Sequence, residues 1–265
     1  MNIFIREMKV YAKSIVLWCI GMLFMIVSGM GKFSYYAESG KSMKEIISKI
    51  PKTLRAILGF QNFDVTKVSG FYGVLFLYIL IMAVIHASML GANIIAKEER
   101  DKTAEFLMVK PVSRNRIITS KLLAALANVL ILNIVTLVLS VVIVGKYSGG
   151  ERVAGDIIAL MSGMLILQVL FLSAGAAIAS ANKNPRNSAS IASFMILTSF
   201  VLYIAADMSS KLEFLKYITP FKYFDAQDII YGKGLNPAYV ILSFAVIAVL
   251  VCITYIFYNK RDLFV

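Results

Sequence analysis

Six long apolar runs, over residues 14–31, 71–96, 122–144, 157–181, 188–206 and 238–258, limit what this chain can fold into more than any other feature. Each approaches or exceeds the ~20 residues that cross a ~30 Å hydrocarbon core at ~1.5 Å per residue. No ten-residue blocks of alternating hydrophobicity occur, which disfavours a β-barrel. Composition agrees: 59% of residues are hydrophobic, 16% are charged, and the mean hydropathy is +0.79. Soluble domains have roughly 45–50% apolar residues and about a quarter charged. The expected fold class is therefore an all-α membrane protein of six transmembrane helices, forming a single domain over 1–265.

An even number of spans puts both ends on one side. With the termini inside, 14 basic residues fall on inner segments and 13 on outer ones, seven of the latter in the loop 32–70. The inner ones are denser, in short segments such as 97–121, so charge favours cytoplasmic termini by a narrow margin. A formal net charge of +12 would suggest nucleic acid in a soluble chain. Here the basic residues flank apolar runs, so membrane lipid headgroups and topology account for them, and no nucleic-acid partner is expected. The run from Ile15 to Gly31 ends without a small-residue cleavage pattern and reads as a retained first span. Cys19 and Cys252 both sit within apolar runs as small hydrophobes, and no metal site is expected.

The loops are unequal. Residues 32–70 contain SMKEIISKI and PKTLRAILGF, both amphipathic at helical spacing, with Pro51 opening the second. Residues 207–237 are rich in aromatics and too apolar for a free linker. Short helices at the interface, or re-entrant in the outer loop before span six, suit both segments. Two stripes of small residues at four-residue spacing allow close helix packing: Ala83, Ala87 and Gly91 in span two, and Ser173, Ala177 and Ala181 in span four.

Several motifs invite chemistry and are set aside. Ser39-Gly40-Lys41-Ser42 lacks the first glycine of a phosphate loop, because Tyr35 stands there. Asp225 and Asp228 have metal-transferase spacing but no acidic partner motif. His86 is the only histidine, and a hydrogen-bonded packing role is expected for it and for Asn93, Asn128, Asn133 and Gln168. No span carries Asp, Glu, Lys or Arg in its central part, which argues against an ion-coupled carrier.

The densest charged block, KEERDKTAEFLMVKPVSRNRIITSK over 97–121, lies between spans two and three. Asp101 can cap a short helix and Glu105 suits its first turn. Phe106, Leu107 and Val109 supply an apolar face, Pro111 stops the helix, and Ser113 caps the next one. Such a helix is suited to docking in a partner's groove.

This segment resembles the loop between spans two and three of ABC type-2 exporter permeases. Glu98, Glu99, Thr103, Glu105, Leu107, Pro111, Val112, Ser113, Arg114 and Lys121 fit that pattern. Lys102 departs from it, since glycine usually precedes the threonine. ITPFKYFDAQDIIYG before span six and the terminal FYNKRDLFV look like the same family, so the resemblance covers most of the chain. It implies a permease in the bacterial plasma membrane, paired with a second permease copy or a related permease. It also implies a cytoplasmic coupling helix in 97–115 that docks on an ABC ATPase dimer. Glu98, Glu99, Arg100, Thr103, Glu105 and Arg114 would set register there, beside Pro111, while Phe106 and Leu107 supply buried contact. The chain itself would bind no cofactor and catalyse nothing; ATP and Mg would belong to the ATPase. Export of an amphiphilic substrate, peptide or lipid-like, fits spans with little fixed charge. A secondary transporter without an ATPase and a membrane-embedded lipid enzyme are the alternatives.

Overall fold

A computed structural model describes residues 2–60, 63–103, 105, 112–151, 153–208 and 210–260, with only the backbone of residues 41–44, 52, 210–213 and 233. Among the described residues every regular element is helical. Six helices are long and apolar enough to cross a membrane. Their continuous α-helical parts are span 1 (Ile3–Met30), span 2 (Val68–Arg100), span 3 (Arg114–Tyr147), span 4 (Ala154–Ala181), span 5 (Ser188–Met208) and span 6 (Pro237–Lys260). The lower end of the bundle is taken as the end where span 1 starts and span 6 finishes.

Spans 2 and 4 form the centre. In their most apolar windows 72% and 67% of residues are buried, against 17%, 17% and 11% in spans 1, 5 and 6. The cause is a direct meeting of backbones. A Cβ on Gly91 would lie 2.1 Å from the Leu172 carbonyl oxygen, and one on Gly175 would lie 2.2 Å from that of Ser88. Without the hydrophobic drive that water supplies, such close approach is what holds membrane helices together. Span 6 then packs on span 4, span 1 on span 3, and span 5 on both span 2 and span 4.

Spans 2 and 3 have 33 and 34 residues, about 50 Å each at ~1.5 Å per residue. That exceeds a ~30 Å core. The surplus turns, together with the start of span 1 at Ile3 rather than near residue 14, form a three-helix extension at the lower end. Charged residues sit in this extension and not at mid-depth.

At the upper end a helix over Phe33–Lys49 breaks at Gly40, whose φ of 42° and ψ of −111° are not helical. A second short helix, Lys52–Ile57, starts behind Pro51. Before span 6 the chain runs through tight 3₁₀ turns at Ser210–Tyr217 and Pro220–Phe224 and a π turn at Ile229–Lys233. Phe221 and Phe224 are buried. Phe221 meets the rings of Phe171 and Phe200 at 5.4 and 5.7 Å, so this segment dips into the upper bundle.

Candidate functional site

The lower extension holds a compact ionic node. Glu7 of span 1 and Lys121 of span 3 are both 0% exposed. The Lys121 ammonium donates to the Glu98 carboxylate and, at 2.7 Å, to the Ile94 carbonyl. The Arg6 guanidinium donates to Glu98 at 2.8 Å and to Glu7 at 3.1 Å. Lys97 donates to the other Glu7 oxygen and lies 5.2 Å from the centre of the Tyr11 ring. Three cations and two carboxylates thereby bind spans 1, 2 and 3 together at the root of the 101–113 segment. Burying these charges is costly, and each is tolerated because its partners replace water.

Span 2 ends in a specific turn. The Lys102 amide donates to the Glu99 carbonyl at 3.2 Å and the Thr103 amide to the Glu98 carbonyl at 2.7 Å. These are the two bonds of a Schellman cap, and the residue between helix and exit has φ +55°. That residue is Lys102, the position where glycine is usual in the pattern. The backbone keeps the glycine geometry without glycine. Span 3 then starts behind Ser113, whose hydroxyl accepts from the Arg116 amide at 3.4 Å. The Arg114 guanidinium reaches the Asn259 carbonyl at 3.0 Å, and Asn259 donates to Asn115 at 2.6 Å. Spans 3 and 6 are thus joined at the same end.

The profile that describes ABC-2 family transporter proteins matches residues 1–263. The chain belongs to that family. No individually curated protein matches it. An ABC-2 permease is a transport component that spans the membrane several times, and the six apolar helices suit that role.

The structure sorts the residues assigned to coupling in this ABC-2 permease. Glu98 faces inward, 6% exposed, with its carboxylate occupied by Lys121 and Arg6. It organises the node. Arg100, Thr103 and Glu105 are exposed, while Glu99 and Arg114 are half-buried. Asp101 ends span 2, and its carboxylate accepts from Arg100 at 3.0 Å. Phe106, Leu107, Val109 and Pro111 lie outside the described residues, and so does the coupling helix expected there.

Of the packing stripes, Ala83, Ala87 and Gly91 are buried, and Gly91 makes the backbone contact. On span 4, Ser173 and Ala177 are buried. The approach to Gly91 runs through Leu172 and Ala176, whose amide nitrogen would lie 3.1 Å from a Cβ on Gly91, and Gly175 meets Ser88. The Ala177 carbonyl accepts from the Ser180 hydroxyl at 2.8 Å, within its own helix. Ser173 likewise donates to its own Val169 carbonyl at 2.8 Å, and Ala181 is exposed. The run SAGAA contains small residues in several helical registers, so only the neighbouring helix selects one.

The polar residues of the spans divide in the same way. Asn133 donates to Gln168 at 3.0 Å and to the Met161 carbonyl at 3.2 Å, joining spans 3 and 4. Asn128 donates to the Ala124 carbonyl at 2.8 Å, and Asn93 accepts from Arg100 at 2.9 Å. His86 packs edge-on against Trp18 at 5.2 Å, and its Nδ1 has no hydrogen-bond partner among the described residues. Its contact is aromatic where a hydrogen bond was expected. Asp225, half of the D-x-x-D motif, caps the Gln227 amide at 2.9 Å and accepts from Lys222 at 2.7 Å. Lys222 also donates to Asp207 at 2.6 Å. Burial works to lower the Lys222 pKa, but the Asp225 charge and the bonds to both carboxylates outweigh it and raise the pKa. This ionic clasp fastens the dipping segment to the end of span 5.

Proposed function

We propose that this ABC-2 permease is the membrane half of an ATP-driven exporter in a bacterial plasma membrane, with both termini cytoplasmic. A separate ABC ATPase dimer docks at the lower end on residues 97–115, and it holds the ATP and Mg. Two permeases, identical or related, pair in the membrane, and an amphiphilic peptide or lipid-like substrate moves along their interface. The observation that carries this reading is the ionic node at the root of 101–113. A push on that segment reaches spans 1, 2 and 3 together, because buried pairs such as Glu98–Lys121 resist separation without water to replace them. A helix docked in a partner's groove supplies such a push.

Affinity purification of the tagged chain from its native membrane tests the reading. A Walker-type ATPase should accompany the wild-type chain and be lost when Glu99, Phe106 and Leu107 are replaced together by alanine. Recovery of the wild-type chain without any ATPase would overturn it.

A further inference from the structure

Spans 5 and 6 both lean on span 4 but do not pack closely on each other. The gap between them is an open trough of about 470 Å³. Leu170, Phe171 and Ala174 of span 4 form its floor. Thr198 stands on the span 5 wall, Val246 and Leu250 on the span 6 wall, and Ile218 and Pro220 close the top. We infer that this trough is a seat for one acyl chain of an upper-leaflet membrane lipid.

Three observations point to that occupant. First, the trough opens on the outer surface of spans 5 and 6, which together with span 1 bury the least. Second, its hydroxyls are already engaged. Thr198 donates to the Phe194 carbonyl at 2.9 Å, and Ser199 lies 3.3 Å from the Thr219 hydroxyl. A polar ligand or a water chain finds no free hydroxyl hydrogen to accept there, whereas an alkyl chain needs none. Third, the depth fits. Tyr239 lies at the top of span 6, stacked on Tyr223 at 5.0 Å and 6.4 Å from the Tyr217 ring. Tyrosines of this kind settle at the headgroup level. Leu250, at the far end of the trough, lies about 16 Å lower along the helix at ~1.5 Å per residue. One leaflet of a ~30 Å core is about 15 Å deep.

The trough depends on membrane embedding alone and not on the ATPase. The test therefore uses the intact chain in nanodiscs of mixed neutral and anionic phospholipid, with no partner present. The probe is a phospholipid carrying a photoactivatable group at mid-chain. Adducts on Thr198, Val246 and Leu250 should exceed those on Phe24 and Val142 by roughly tenfold, the ratio for a seat about 1.4 kcal/mol better than bulk lipid. Phe24 and Val142 are lipid-facing positions of the same half, 74% and 54% exposed. Thr198→Trp and Val246→Trp fill the trough from opposite walls, and each should bring the excess on the remaining positions down to the level of the controls. Equal labelling at trough and control positions in the wild-type chain would overturn the inference. So would disulfides between copies on oxidation of a Thr198→Cys/Leu250→Cys variant lacking Cys19 and Cys252, which would make the trough a permease–permease contact. Either result leaves the export reading standing.

Discussion

A lysine held at φ +55° carries a conformational cost of about 1–2 kcal/mol that glycine at the same position avoids. Lys102→Gly is accordingly expected to stabilise the purified chain by about 1 kcal/mol, read as a rise in its thermal midpoint. An unchanged or lower midpoint would show that the lysine side chain makes compensating contacts. Glu98 and Lys121 are the second test at this scale. Removing Glu98 leaves the fully buried Lys121 with only the Ile94 carbonyl, whereas removing Lys121 leaves Glu98 with Arg6. Glu98→Gln should therefore cost about 3 kcal/mol and Lys121→Met clearly less. Equal losses, measured by denaturation of both variants in the same detergent, would mean that the two residues act only as a pair. The Lys102 position was legible as the place where glycine is usual, but the ionic node could not be read from the chain beforehand. Arg6, Glu98 and Lys121 lie far apart in sequence, and a basic N-terminal stretch has the same appearance whether it sets topology or neutralises buried carboxylates.

The elements were more legible, to different degrees. An apolar run of twenty residues has little choice in a bilayer, because only a helix satisfies its own backbone there. The six spans are therefore visible without coordinates. Their ends are not, since the turns beyond the hydrocarbon are polar and look like loops. Span 1 starts at Ile3 for this reason, whereas the start of span 3 at Arg114 is marked by its cap, Ser113. Contact faces are also hidden when small residues occupy every register, as in SAGAA of span 4, where Ala177 and Gly175 are equally good candidates until span 2 is in place. The crossing of spans 2 and 4 makes a sharp prediction. Gly91→Leu and Gly175→Leu must each push two backbones apart and should destabilise the chain by about 1–3 kcal/mol or more. Ala181→Leu, at an exposed position, should change stability by less than about 0.5 kcal/mol. Thermal midpoints of the three variants decide the matter, and equal effects would contradict the packing described here.

At the scale of the whole molecule, the two ends have different designs. The lower end is stiffened by buried charge around a short exit and re-entry of the chain, while the upper end is closed by aromatic rings and the Lys222 clasp on Asp207 and Asp225. Lys222→Met should loosen the upper closure and leave the lower node intact. Protease or solvent-labelling rates should then rise at residues 214–230 and stay unchanged at 3–11. A matching change at both ends would mean that the bundle moves as one body. The central claim is that residues 97–115 pass work from a separate ATPase to the spans. ATP turnover by the co-purified ATPase, with the permease in nanodiscs, tests it most directly. The account predicts turnover stimulated by the wild-type chain and a return to the basal rate with the Glu99/Phe106/Leu107 alanine variant. Turnover that is the same with the wild-type chain, with the variant and with empty nanodiscs would contradict it.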